Sequence, residues 1–350
     1  MGCLQSSETK SEQENDNAET KPKVYSWEKR GNIDPNDYIT EQLKDETVGK
    51  LPGKLNGQQY IIQNCEGCKI YIFDHTATVT VDDCVDCKIF LGPSKGSVYI
   101  RDCKDCSFVL ACQQFRTRDC KRLDIFLCCN TQPIIESSTG MKFACFQYNY
   151  PELEDQFDAA GLSLYNNNWS SIHDFTPAAD VETWSLLPEN AKVSDYVPLP
   201  PVDSFPEIEV SADSDSSIVP LTLGSRRKKS DESCLVVFYP GPEARNNVKS
   251  YLREVKTKTS YQLVQTKEVQ MTIEDAQRVF GSEHDGSSIQ QGAVIGLEIN
   301  GDGCVKTCNE LLDTLLEGRN KSELVFISRS KEKSAKNIDD FYNFVDMTMS

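Results

Sequence analysis

The fold is decided between Asn64 and Leu127, where four segments line up: NCEGCKIYI (64–72), DCVDCKIFL (83–91), DCKDCSFVL (102–110) and DCKRLDIFL (119–127). The first three begin nineteen residues apart, at 64, 83 and 102, and the fourth seventeen later, at 119. Ahead of each lies a second short alternating segment: QYIIQ (59–63), TVTVD (78–82), SVYIR (97–101) and QFRTR (114–118). A period near twenty residues, built of short strands without a helical repeat, describes stacked coils of a parallel β-helix. Asn or Asp before each first cysteine suits the left-handed backbone of a corner. Alternation points Tyr60, Val79, Val98, Phe115 and Ile62, Val81, Ile100, Thr117 inward. It leaves Ile61, Thr80, Tyr99, Arg116 and Gln63, Asp82, Arg101, Arg118 outward.

Zinc is the competing reading, because Cys65-x2-Cys68 and Cys84-x2-Cys87 have four-cysteine spacing. Six thiolates at equal intervals do not divide into a single closed tetrahedral site. Leu123 replaces the second cysteine of the fourth copy, and only Gly67 supplies a knuckle glycine. Leucine cannot ligate a metal, so these positions read as small apolar slots in a core, and no metal is expected.

Outward from the repeat, composition divides the 350 residues into four regions. Residues 1–23 are too polar to fold alone, residues 24–190 hold the β-helix, and 191–232 read as a linker containing VPLPPVDSFPEIEVSADSDSS (197–217). Residues 233–350 alternate strand and helix patterns: CLVVFY (234–239), YQLVQTKEV (261–269), GAVIGLEI (292–299) and ELVFIS (323–328) are strands. Helical stripes run from Ala244 to Val255, from a capping box at Thr272 and Asp275, and from Val305 to Leu315. That order predicts an α/β sandwich of ferredoxin-like type. Thirty-seven basic against 54 acidic residues give a net charge of −17, which excludes a general nucleic-acid binder. No apolar run is long enough to span a membrane, and the polar N-terminus does not read as a secretory signal. Fifteen cysteines then read as thiols.

On QLKDETVGKLPG (42–53), GQQYIIQNCEGCKIYIFDHTATVTVDDC (57–84) and ACQQFRTRDC (111–120), the chain resembles the tubulin-folding cofactor C-like family. The resemblance implies a right-handed parallel β-helix. It also implies a GTPase-activating protein for an Arf-like small GTPase of the ADP-ribosylation factor-like protein 3 type. The partner would be engaged in its GTP-bound form, in the traffic of lipidated proteins to the cilium. The family's arginine finger matches Arg116, with Gln113 three residues before it. The carboxylate that orients the finger matches Glu136 in PIIESS, and an aromatic contact matches Phe175 in SIHDFTP. Gln114 and Arg118 share the exposed face and are expected partner contacts. A guanidinium supplied in trans stabilises charge growing on the transferred phosphoryl group, and arginine's fork is always charged and matched to phosphate. No GxxxxGK[ST] loop is present. GTP and Mg2+ therefore belong to the partner, and the chain, an expected monomer, needs no cofactor. The alternative is an effector or tubulin-associated scaffold that binds without activating.

The C-terminal domain resembles nucleoside diphosphate kinase at QGAVIGLEINGDGCV (291–305). That enzyme's active histidine sits in N-x-x-H-G-S-D; His284 in SEHDGSS precedes the third strand, so an inactive domain is expected. RRKK (226–229) reads as solvated charge, and His75 and His173 lack partners at ligand spacing. At the other end, Met1-Gly2-Cys3-Leu4-Gln5-Ser6 fits M-G-x-x-x-S, with myristate on Gly2. One such chain binds membranes only marginally. Five acids against three lysines in residues 1–23 make no basic patch. Palmitate on Cys3 is then the expected second anchor, at the cytoplasmic face of the plasma membrane and the cilium or its base.

Overall fold

The structure, a computed structural model, describes residues 35–281 and 289–349. Gly2, Cys3 and His284 lie outside the described residues. From Tyr38 onward the chain forms one compact unit.

Twelve strands build the β-helix: β1 (Ile39–Glu41), β2 (Thr47–Lys50), β3 (Tyr60–Gln63), β4 (Lys69–Ile72), β5 (Val79–Asp82), β6 (Lys88–Arg101), β7 (Ser107–Arg118), β8 (Asp124–Cys129), β9 (Ile134–Glu136), β10 (Met141–Cys145), β11 (His173–Asp174) and β12 (Trp184–Leu186). Every pairing among them is parallel. One face stacks β1, β3, β5, the end of β6, the end of β7, β9 and β11; another stacks β2, β4, the starts of β6 and β7, β8, β10 and β12. Single bridges through Lys44, Glu66, Val85, Lys104, Lys121 and Thr139 join them on a narrow third side. The four copies visible in sequence are thus the middle of six full coils and a partial seventh.

The corners explain the repeat. Asn64, Asp83, Asp102 and Asp119 all have φ between 51° and 54°, the left-handed conformation that Asn and Asp tolerate best. A second left-handed corner follows three residues on, at Gly67, Asp86, Asp105 and Arg122. Between the corners lie two cysteine columns: Cys65, Cys84, Cys103 and Cys120, then Cys68, Cys87, Cys106 and Leu123. All eight side chains are at most 1 % exposed. Each thiol of the first column donates to the carbonyl two residues back, at 3.1–3.4 Å. In the next coil Ser138 takes the slot, and its hydroxyl donates to the Glu136 carbonyl at 2.8 Å. Cysteine therefore suits the slot by size and by a weak S–H donor for a corner carbonyl. Burial pushes the Cys65 and Cys68 thiols up from their ordinary range.

The 27 residues between β10 and β11, 146–172, leave the solenoid and return. They carry α1 (Leu153–Ala160) and the tripeptide Asn166-Asn167-Asn168. The stretch read as a linker, 191–232, is a strap packed on the solenoid. Val193, Val197, Phe205 and Val219 are buried, and Phe205 meets the rings of Tyr71 and Phe73 at 5.6 and 6.0 Å. Gly49 makes room for it, since a Cβ there would stand 2.8 Å from the Phe205 ring. RRKK is largely tied down. Arg226 lies over Trp169 at 5.0 Å and donates to the Leu187 carbonyl at 2.6 Å, while Lys228 pairs with the fully buried Glu298.

The remaining strands, β13 (Ser233–Phe238), β14 (Gln262–Gln270), β15 (Ala293–Asn300) and β16 (Val325–Ile327), form a separate antiparallel sheet in the order β14-β15-β13-β16. Helices α2 (Ala244–Lys258), α3 (Ile273–Phe280), α4 (Cys304–Leu315), α5 (Lys321–Leu324) and α6 (Lys331–Met349) accompany it. The capping box at Thr272 and Asp275 forms as expected and starts α3. The outer edge of β14 meets the rest of the chain. Leu223 and Gly224 donate to its backbone, and Asn166 pairs with both backbone groups of Glu268 at 2.7 and 2.9 Å. An open strand edge is thereby closed within the molecule.

Candidate functional site

Parallel stacking sets like residues above like, so the first face carries continuous side-chain columns. One outward column reads Ile61, Thr80, Tyr99, Arg116, Ile134, His173, and the next reads Gln63, Asp82, Arg101, Arg118, Glu136. The column between them, Ile62, Val81, Ile100, Thr117, Ile135, is buried at 2 % exposure or less, which fixes the direction of its neighbours. Strands stand about 4.8 Å apart, so Arg116 rises between Tyr99 and Ile134 from a backbone bonded on both sides.

Three arginines share this face, and two have acidic partners. Arg101 grips Asp82 with two bonds of 2.6 and 2.7 Å, and that contact holds its guanidinium above the ordinary range. Arg118 Nε donates to Asp119 at 3.2 Å. Arg116 is exposed and makes no hydrogen bond or ion pair among the described residues. Glu136 is not bonded to it: the register sets Glu136 opposite Arg118, while Ile134 faces Arg116. The two residues lie on alternate columns of one face, diagonal to each other, and the expected orienting contact is not formed here.

Gln113 and Gln114 lie just before the turn of the column. The Gln113 carbonyl accepts from the Thr131 N–H and hydroxyl at 3.1 and 2.8 Å, while Gln114 is exposed and accepts from Ser97 at 3.1 Å. Phe175 is 59 % exposed, the largest exposed aromatic ring of this face. Its backbone is nonetheless fixed. Its own N–H donates to the Ile135 carbonyl at 2.9 Å, Thr176 N–H donates to the Asp174 carboxylate at 2.9 Å, and Ser137 N–H donates to Thr176 Oγ1 at 2.5 Å. His173, which sequence reasoning set aside for want of a ligand partner, meets the Phe175 ring edge-on at 4.7 Å and 89°. The signal was the alternate spacing His-x-Phe, which puts both rings on one side of a strand. Gln114, Arg116, Arg118, Glu136 and Phe175 thus belong to one face, with Gln113 at its corner held through its carbonyl, and no metal-ligand cluster is placed among the described residues.

The parallel β-helix that carries this face is of the cofactor C class: residues 57–175 match the family model "Tubulin binding cofactor C". The chain is 55 % identical to Protein XRP2 of Gallus gallus over 361 aligned positions, covering 100 % of this chain and 99 % of that one. It is 54 % identical to Protein XRP2 of Homo sapiens over 353 positions, again covering 100 % and 99 %. A weaker likeness, 31 % over 153 residues, extends to tubulin-specific chaperone C of Homo sapiens and covers 43 % of this chain and 44 % of that one. The chain belongs to the Protein XRP2 family.

Proposed function

We propose that the chain is a GTPase-activating protein for an Arf-like small GTPase, with Arg116 as the finger supplied in trans. The observation that carries the proposal is the pattern of ion pairs on one face: among the described residues Arg101 and Arg118 have acidic partners and Arg116 has none. An unpaired guanidinium on a rigid strand is free to meet a phosphate without first breaking an ion pair. Gln113 and Glu136 are assigned supporting roles, and Gln114, Arg118 and Phe175 contact the partner, which brings its own GTP and Mg2+. The test is single-turnover GTP hydrolysis against a panel of Arf-like proteins. Arg116→Ala should remove the stimulation, roughly 10³- to 10⁵-fold by analogy with other fingers, while Arg118→Ala retains most of it. Stimulation by Arg116→Ala equal to that of the natural chain would sink the assignment.

A second reading, a tubulin-associated scaffold without activating power, rests on the likeness to tubulin-specific chaperone C. Binding of a GTP-loaded partner without faster hydrolysis would favour it. For the C-terminal sheet, the order β14-β15-β13-β16 supports a ferredoxin-like, nucleoside diphosphate kinase-like domain without activity of its own. Anchoring by lipid on Gly2 and Cys3, placing the protein at the plasma membrane and the cilium, belongs to the same proposal. Metabolic labelling that puts neither myristate nor palmitate on the chain would remove that part.

A further inference from the structure

We infer that His173 is a positioning residue for the docking face: it holds the exposed Phe175 ring upright for the partner. The inference rests on the activator reading above and deepens it. A phenyl ring left 59 % exposed ordinarily samples several rotamers, and docking must then immobilise it. Here that ordering is done in advance. The backbone on either side of Phe175 is held by the Ile135 carbonyl, the Asp174 carboxylate and the Thr176 hydroxyl. With the backbone fixed, the remaining freedom is rotation of the side chain. The imidazole of His173 closes it, edge to face at 4.7 Å and 89°.

His173 owes its own place to the solenoid. It stands on β11 in register with Ile134, its N–H donates to the Pro133 carbonyl at 2.8 Å, and Ile134 is in register with Arg116. Two strand spacings, about 10 Å, separate His173 from Arg116. The finger and the aromatic anchor are therefore held by one frame, the finger by the fifth coil and the anchor by the seventh. An anchor ordered before encounter tightens docking and leaves the chemical step alone.

The experiment is a titration of the full chain against GTP-loaded Arf-like GTPase, read both as single-turnover hydrolysis and as binding by fluorescence anisotropy. His173→Ala should raise the half-saturating concentration about three- to tenfold, the scale of one aromatic pair, and leave the saturating rate unchanged. His173→Phe keeps a ring in the same place and should stay within about twofold of the natural chain. In a Phe175→Ala background, His173→Ala should have no further effect, because its target is gone. An unchanged half-saturating concentration in His173→Ala overturns the inference. So does an undiminished effect in the Phe175→Ala background, which would make His173 a direct contact. Binding without stimulated hydrolysis would sink the activator reading, yet the anisotropy arm would still decide the role of His173. Absence of binding to any Arf-like GTPase overturns both. His173 is exposed, so thermal unfolding of both variants should match that of the natural chain.

Discussion

Replacing Asn166 by alanine should loosen the C-terminal sheet without touching the solenoid. The Asn166 amide donates to the Glu268 carbonyl at 2.9 Å and accepts from the Glu268 N–H at 2.7 Å, so one side chain completes the outer edge of β14 as a neighbouring strand would. Alanine removes both bonds and leaves two backbone groups without their partner. At about 1–1.5 kcal/mol net for each, the local loss is about 2–3 kcal/mol. That corresponds to roughly 30- to 150-fold faster opening of the strand. Hydrogen-exchange mass spectrometry on peptides covering 262–270 reads the effect, with β8 as internal reference. The neighbouring Asn167 gives the opposite pattern. Its carbonyl oxygen accepts from Cys129 and Trp169 N–H at 3.0 and 3.1 Å, and its amide donates to the Leu127 carbonyl at 3.1 Å. Asn167→Ala should therefore speed exchange at 124–129. Natural protection of β14 in Asn166→Ala would refute the idea that this amide closes the sheet edge.

Two further expectations follow from buried polar groups. Burial depresses the Lys267 ammonium below its ordinary value, with the Asn168 amide oxygen as its partner at 2.5 Å. The unfolded chain then holds that proton more tightly, so the penalty is present in full below the depressed folded value and is lifted as pH rises toward about 10.4. Lys267→Met should stabilise the chain by about 1 kcal/mol at neutral pH, with the gain narrowing at alkaline pH in paired urea titrations. In the cysteine column, Cys103→Ser should shift stability by less than about 1 kcal/mol, because a hydroxyl can reach the Arg101 carbonyl that the thiol now reaches at 3.1 Å. Cys103→Val should lose about 1–3 kcal/mol, through loss of the thiol's bond to the Arg101 carbonyl, which keeps only the Asp83 N–H at 3.2 Å, and through a branched side chain in a filled slot. Thermal melts that rank valine above serine would overturn this.

The middle coils were legible because Asn64, Asp83, Asp102 and Asp119 mark one corner and the cysteines mark the slots beside it. The outer coils were not, because a slot specifies size and burial and not residue identity. Register sets Ser138 and Met141 in the slots of the sixth coil, both buried, while the same positions of the open first coil hold the half-buried Leu43 and the exposed Glu46. The same tolerance hid the second corner, filled in turn by Gly67, Asp86, Asp105, Arg122 and Gly140. The strap is illegible in sequence for a different reason. Its anchors Val193, Val197, Phe205 and Val219 follow no helical or strand period, and the rings that Phe205 meets, Tyr71 and Phe73, lie more than a hundred residues away. The tripeptide 166–168 gave no signal at all, since asparagine in a loop reads as solvated until its backbone partners are known.

The acid excess of the chain and the chemistry assigned to Arg116 are compatible because electrostatics is local. At physiological ionic strength exposed charges are screened beyond about 8 Å, so a net charge of −17 says little about a single guanidinium. What counts is the immediate neighbourhood, and there the acids Asp82 and Asp119 are engaged by Arg101 and Arg118. Tyr99 and Ile134, the residues in register with Arg116, carry no charge. Glu136 is the carboxylate of the neighbouring column that no ion pair occupies among the described residues, diagonal to Arg116 across the register. A docked partner that excluded water from this corner would strengthen the attraction between the two. Under the activator reading proposed above, the orienting bond forms on docking and is not stored in the free protein, where the two side chains are not bonded.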